Sequence, residues 1–169
     1  RWNSTEKKFP DHIAIHQLFE QQAARTPDKC AVVYEGTELT YYELEEKTAK
    51  LASVLIEAGV KPDTLAGIFC ERSLEMIVGI LAILRAGGAY VPLDPDYPAD
   101  RLAYLLKDSG VDIVLLQSHL ADRLPVDNQR CFVLDDQSLY DVPANVLAVN
   151  RTPVGATDLA YMIYTSGTT

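Results

Sequence analysis

No stretch of this sequence concentrates lysine and arginine. Its 169 residues carry 15 Lys and Arg against 24 Asp and Glu, a formal net charge of −9. A nucleic-acid binder displaces counterions with a basic stripe, and the densest candidate here is the pair Lys7 and Lys8. No nucleic-acid partner is therefore expected, and an anionic ligand must be held by local backbone donors rather than by the field of the whole protein. Cysteine is scarce too. Cys30, Cys70 and Cys131 are far apart and form no CxxC pair, which argues against a disulfide framework or a zinc site. Each lies in an apolar, strand-like run, so they read as buried, reduced thiols. His12, His16 and His119 lack ligand spacing and read as structural or surface residues. Long apolar runs are also missing. The longest, residues 76–84, is far short of the roughly 20 residues that span a bilayer, and "RWNSTEKKFP" at the start has no apolar signal-peptide region. A cytoplasmic protein with no membrane partner is the expectation.

What remains is ordinary globular material, 48% hydrophobic and 23% charged, with neither internal repeat nor low-complexity tract. It suffices for a real core. Residues 1–12 are polar, contain Pro10 and read as a linker; the domain proper is expected over 13–169. "IAIHQLFEQQAART" sets Ile15, Leu18, Phe19 and Ala23 on one helical face before Pro27. "CAVVYEG" reads as a strand turning at Gly36, with a short return through Leu39. Thr40 and Glu43 have capping-box spacing, followed by a stripe of Leu44, Thr48, Leu51, Leu55 and Ala58 and by Gly59 at a left-handed cap. Strands and helices then alternate. "LAGIFC" is a strand buried on both faces, and a helix runs from Ser73 to Gly87 and Gly88. "AYVPL" is a strand and "DPDYP" a turn. "ADRLAYLLKDSG" is a helix ending at Gly110, "VDIVLLQ" a strand, "SHLADRL" a short helix and "CFVLD" a strand. A loosely specified connection covers 136–157, and "LAYMIYT" is a final strand. This alternation predicts an α/β fold, with a mainly parallel sheet covered by helices on both faces.

The stretch "YTSGTT" offers the clearest chemistry. Thr165, Ser166, Thr168 and Thr169 supply hydroxyls, and Gly167 frees the backbone to turn its amides toward a ligand. Amides and hydroxyls converging at the carboxyl end of a strand suit phosphate oxygens. A solvent-exposed Ser/Thr/Gly turn explains the same residues. A Walker loop is disfavoured, because its lysine is missing. Asp94 and Asp96 read as turn-stabilising side chains, and Glu45 and Glu46 as a solvated face beside Lys47. "LTYYEL" and "LRAGGAYVPLDPDYP" each have a complete structural explanation on their own.

In this order and spacing, "LTYYEL", "LRAGGAYVPLDPDYPADRLAYLLKDSG" and "DLAYMIYTSGTT" resemble the first three core motifs of adenylation domains from nonribosomal peptide synthetases. "WNST" and "HQLFEQQAARTPDKCAVV" are similar to the linker and entry helix that follow a condensation domain. Arg85 stands where the family often has lysine, and Leu93 where isoleucine is common. The resemblance implies the N-terminal portion of the large subdomain of an adenylate-forming enzyme. The intact domain would join an amino acid carboxylate to the α-phosphate of ATP with Mg²⁺, release pyrophosphate and pass the aminoacyl group to a phosphopantetheine thiol. It implies that Thr165, Ser166, Gly167, Thr168 and Thr169 grip the ATP phosphates. No catalytic residue or metal ligand is assigned within these residues. The implied partners are the remainder of the domain, an upstream condensation domain and a downstream peptidyl carrier domain, with a small MbtH-like helper protein as a further candidate.

The alternatives are an acyl-CoA or aryl-acid ligase of the same superfamily, and a non-catalytic docking piece. The family's loop continues through a glycine and a lysine beyond the position of Thr169, and its amino-acid pocket lies further downstream. The terminal strand is apolar on both faces, so exposed hydrophobic surface or a second polypeptide is expected there. The 169-residue chain alone is expected to activate no amino acid. ATP–pyrophosphate exchange on that isolated chain should stay at background with each common amino acid, and turnover with any of them would refute the assignment.

Overall fold

A computed structural model describes residues 12–125, 128–142 and 154–165. Most of the 1–12 linker assignment lies outside these residues. The chain opens with helix α1 (Ile15–Arg25) and an antiparallel hairpin of β1 (Cys30–Tyr34) and β2 (Thr37–Thr40). Helix α2 (Tyr41–Glu57) leads into an α/β succession of β3 (Leu65–Phe69), α3 (Leu74–Ala86), β4 (Ala89–Pro92), α4 (Ala99–Ser109), β5 (Ile113–Leu116) and β6 (Arg130–Val133). Ser118–Arg123 and Gln137–Tyr140 are 3₁₀ turns, the first where the sequence suggests a short helix.

The helix ends obey their local signals. The Thr40 hydroxyl accepts from the Glu43 amide at 3.2 Å, while a Glu43 carboxylate oxygen accepts from the Thr40 amide at 2.8 Å. Ser73 caps α3 by accepting from the Met76 amide at 3.1 Å. Gly87 (φ 97°) and Gly110 (φ 66°) take the left-handed conformation that ends α3 and α4, which side chains disfavour.

The main sheet has the order β4-β3-β5-β6 with every pair parallel. Side chains alternate across it. Ala66, Ile68, Ile113 and Leu115 face one core, shared with α2 and α3 through Leu51, Leu55, Val78 and Ile83. Phe69, Val91, Val114 and Leu116 face the other, shared with Leu102, Leu105 and Leu106 of α4. Fully burying one such side chain contributes about 1.5–3 kcal/mol. Helix α3 packs close to the sheet because residue 79 is glycine; a Cβ there would lie 3.1 Å from both Ile68 Cδ1 and Leu134 Cδ1.

Three expectations change. Only Cys70 is buried; Cys30 and Cys131 are exposed, because they lie on the outlying hairpin and on the outermost described strand of the sheet. Glu45 is no idle surface residue. It accepts from Arg85 Nη2 at 2.6 Å, and Arg85 Nε reaches Glu20 at 3.3 Å, so a guanidinium only 10% exposed ties α1, α2 and α3 together. A planar guanidinium can serve two carboxylates at once, which an ammonium does less well. The final strand shrinks to one parallel bridge, Tyr90↔Tyr161. The Tyr90 amide donates to Ala160 O (3.1 Å) and Met162 N donates to Tyr90 O (3.0 Å). Because Leu93 N points to β3, the next amide facing Met162 would belong to Pro92, which has none, so the ladder stops.

The hydrogen bonds from the amide and hydroxyl of Thr40 hold the Glu43 carboxyl below its ordinary value of 4.5. A depressed carboxylate contributes stability that is complete above the unfolded value and is lost as pH falls through the folded one. Thr40→Ala should cost about 1 kcal/mol. In urea titrations Glu43→Ala should be less stable than the parent near pH 7, with the gap shrinking as the pH falls below the ordinary carboxylate range. An unchanging gap would show that the carboxylate charge is irrelevant to the cap.

Candidate functional site

The strand order reverses beside β3: the chain leaves it toward β4 on one side, then returns to β5 on the other. In an open parallel sheet, that reversal opens a crevice at the carboxyl ends of the strands. Here a cavity of about 600 Å³ occupies this end, walled by Cys70, Glu71 and Arg72 after β3, by Asp94–Tyr97 after β4, and by Ile163 and Tyr164.

Each wall is braced. The Glu71 amide donates to Gln117 Oε1 at 2.8 Å, joining the loop after β3 to the loop after β5. The turn after β4 is closed by the Asp96 amide donating to Asp94 Oδ1 at 2.9 Å, the role the sequence suggests for this aspartate. Arg123 donates to Pro95 O at 2.6 Å, and the Arg101 guanidinium lies 4.4 Å from the Tyr97 ring centre. The Ser118 amide and hydroxyl both donate to Asp135.

The third wall is the segment that leads to the hydroxyl-rich stretch. Since Tyr161 pairs parallel to Tyr90, the chain after it travels toward the same carboxyl end as β4, and Thr165 is exposed there. Ser166, Gly167, Thr168 and Thr169 lie outside the described residues. Along this segment Met162 and Tyr164 pack against the α4-side core. Leu159, Tyr161 and Ile163 are each more than half exposed, the hydrophobic surface that a strand apolar on both faces leads one to expect. Asp63 accepts from the Leu159 amide at 3.2 Å, and the Tyr164 hydroxyl donates to Asp108 at 2.7 Å. Desolvation, followed by that hydrogen bond to Asp108, pushes the Tyr164 phenol up to about 12.

Neither the Arg123 brace nor the Tyr164–Asp108 pair has a sequence signal. Each joins positions tens of residues apart, and "KDSG" reads only as a helix end. Among the described residues no group of three or more His, Cys, Asp or Glu side chains could hold a metal ion. Among them, too, no helix is long and apolar enough to cross a membrane.

An open parallel sheet with its crevice at the reversal is the layout in which α/β folds bind their ligands. The AMP-binding enzyme family matches residues 19–169, and the chain belongs to it. Over 168 residues it is 49% identical to gramicidin S synthase 2 of Brevibacillus brevis, and over 169 residues 48% identical to tyrocidine synthase 3 of Brevibacillus parabrevis. The alignments cover 99% of this chain but only 4% and 3% of those relatives. The crystal structure of the nonribosomal peptide synthetase FmoA3 in its AMPPNP-bound form superposes with a TM-score of 0.85 at 38% identity, covering 97% of this chain and 17% of that one. The N-terminal subdomain of Klebsiella oxytoca NpsA, at 22% identity and a TM-score of 0.82, shares the fold, with 96% of this chain and 41% of that one covered. The α/β architecture is thus that of the N-terminal subdomain of adenylation domains.

Burial, with Glu75 and Asp135 nearby, pushes the Cys70 thiol up to about 12. Thiolate is the reactive form. Under native conditions near pH 8, iodoacetamide should modify Cys30 and Cys131 and spare Cys70, which should react only after denaturation. Peptide mapping showing Cys70 alkylated as fast as the other two would contradict this packing.

Proposed function

We propose that this chain is part of an amino-acid-activating ligase of a nonribosomal peptide synthetase, and that Thr165, Ser166, Gly167, Thr168 and Thr169 engage the phosphates of ATP. The observation that carries the reading is the parallel Tyr90–Tyr161 pairing, which sends the chain to the carboxyl end of the sheet where open α/β folds bind ligands. The kinship with FmoA3 supports a nucleotide substrate, since that enzyme is known with AMPPNP bound and also with α-methyl-L-serine-AMP.

In the reaction, a carboxylate oxygen of the amino acid attacks the α-phosphorus of ATP. A new phosphorus–oxygen bond forms as the bond to the bridging oxygen breaks, and pyrophosphate leaves with the electron pair. Negative charge shifts onto the leaving phosphates. Backbone amides and small hydroxyls can meet that charge without bulky side chains, and such transfer relies on positioning and on preorganised donors. A loop with a glycine at its centre can change shape as pyrophosphate departs. The aminoacyl group then passes to the phosphopantetheine thiol of a carrier domain, with release of AMP. Mg²⁺ would be held largely by the ATP phosphates with few protein ligands, and the described residues contain no cluster of three or more His, Cys, Asp or Glu side chains for it. Phosphopantetheine belongs to the carrier domain, and no described residue is assigned to it.

The same reading gives the chain a condensation domain before it, a carrier domain after it, an MbtH-like helper as a further partner, and the cytoplasm as its location. An amino acid is favoured over an aryl acid by the level of identity. Gramicidin S synthase 2 matches at 49% and FmoA3, known with α-methyl-L-serine-AMP bound, at 37–38%, while NpsA, crystallised with 3-hydroxybenzoyl-AMSN, matches at 22–24%.

The test is Thr168→Ala and Thr169→Ala in the full-length protein, assayed by pyrophosphate exchange. Losing donors to a developing charge should lower exchange by about 10²-fold. Exchange at the parent rate would return this stretch to the status of a turn.

A further inference from the structure

Resting on the phosphate-loop reading, the geometry points to Asp108 as a positioning residue for that loop, acting through the hydroxyl of Tyr164. Tyr164 is the residue immediately before Thr165. Its backbone lies beyond the last ladder bond, the one from Met162 N to Tyr90 O at 3.0 Å, and Pro92 offers no amide to extend that ladder. Among the described residues past 162 no main-chain bond to the sheet follows, and the contacts that hold the chain there are made by side chains.

The bond that does so is Tyr164 Oη donating to Asp108 Oδ2 at 2.7 Å. Asp108 sits in the last turn of α4, and α4 is seated on the sheet by Leu102, Leu105 and Leu106, all buried. The other carboxylate oxygen of Asp108 accepts from Tyr104 Oη at 3.4 Å, from the same helix face. The Tyr164 side chain also packs, partly buried, against the apolar core beneath α4. Helix α4 therefore carries an acceptor fixed relative to the sheet, and Tyr164 brings the entry of the hydroxyl stretch to it. A hydrogen bond to a charged acceptor is stronger than a neutral one.

Asp108 itself makes no contact with the nucleotide in this arrangement. Its effect is to fix the entry to the loop at Tyr164 and Thr165, so loss should appear in ATP affinity more than in turnover. The test uses the full-length enzyme and pyrophosphate exchange, with KM for ATP and kcat measured separately for Tyr164→Phe, Asp108→Ala, Asp108→Asn and the double variant Tyr164→Phe/Asp108→Ala. Asn keeps a carbonyl acceptor for the phenol. We expect KM for ATP to rise about 5- to 10-fold in Tyr164→Phe and in Asp108→Ala, about the loss of one charge-assisted hydrogen bond. It should rise no further in the double variant and much less in Asp108→Asn, with kcat changing under twofold throughout. Non-additivity is the mark of one shared bond.

KM for ATP within twofold of the parent in both Tyr164→Phe and Asp108→Ala would overturn the proposal, as would effects that multiply in the double variant. A loss in Asp108→Asn as large as in Asp108→Ala would overturn it too. Tyr164→Phe removes one oxygen from a part-exposed side chain, so it keeps the question answerable should Asp108→Ala fold poorly. The Thr168 and Thr169 variants separate the two ideas. If they reduce exchange while the Asp108 set is silent, only the positioning role falls; if they are silent, the phosphate-loop reading falls.

Discussion

Strand β3 is the constraint on which the arrangement depends. It has β4 on one side and β5 on the other, and side chains from α2 and α3 cover one face while those around α4 cover the other. Such a strand can shift register only by moving every neighbour, and slipping by one residue would exchange the two cores. Gly67, at its middle, makes the point locally: a Cβ there would approach Leu93 Cδ1 to 2.9 Å. Leu93 comes from the residue after β4 and is itself buried. The same contact that holds the sheet together thus fixes where the turn of Asp94–Tyr97 begins, and that turn is one wall of the cavity.

Around this frame the site is built from loops laced to one another as well as seated on the core. Gln117 holds the backbone after β3, Arg123 the backbone after β4, and Asp63 the backbone at Leu159. Each uses a side chain to satisfy a main-chain group of another loop, the kind of bond that buried or half-buried loop backbone requires. The walls are consequently set by long-range pairs, while their composition (acidic and aromatic residues with two prolines) is local.

That division explains what was legible. Helix starts and stops were readable because Thr40 with Glu43, Ser73, Gly87 and Gly110 act within a turn of their own positions. The parallel sheet was readable from short, continuously apolar runs such as 65–70 and 113–116. The environment of Cys30 was not, since a strand-like run does not say whether its strand lies at an edge. Neither was the clasp of Arg85 by Glu20 and Glu45, which needs three helices in place before its members meet. Pro92 belongs to a strand by sequence and in the structure alike, but its missing amide matters only once Met162 lies beside β4. Of the hydroxyl stretch, Thr165 alone falls among the described residues, so its chemistry rests on motif and kinship.

The attachment of residues 158–165 has a dynamic corollary. Strand β3 is bonded across several rungs on each side and buried on both faces, whereas this segment rests on one bridge, the ring contact of Tyr161 with Tyr90, two partly buried side chains and two carboxylate contacts. Free energies of local opening scale with what must be undone. Amide protons here would exchange with solvent long before those of β3, through detachment that leaves both cores intact. The segment from Leu159 to Thr165 can therefore part from the sheet edge and re-form its contacts while the folded body beneath it stays whole.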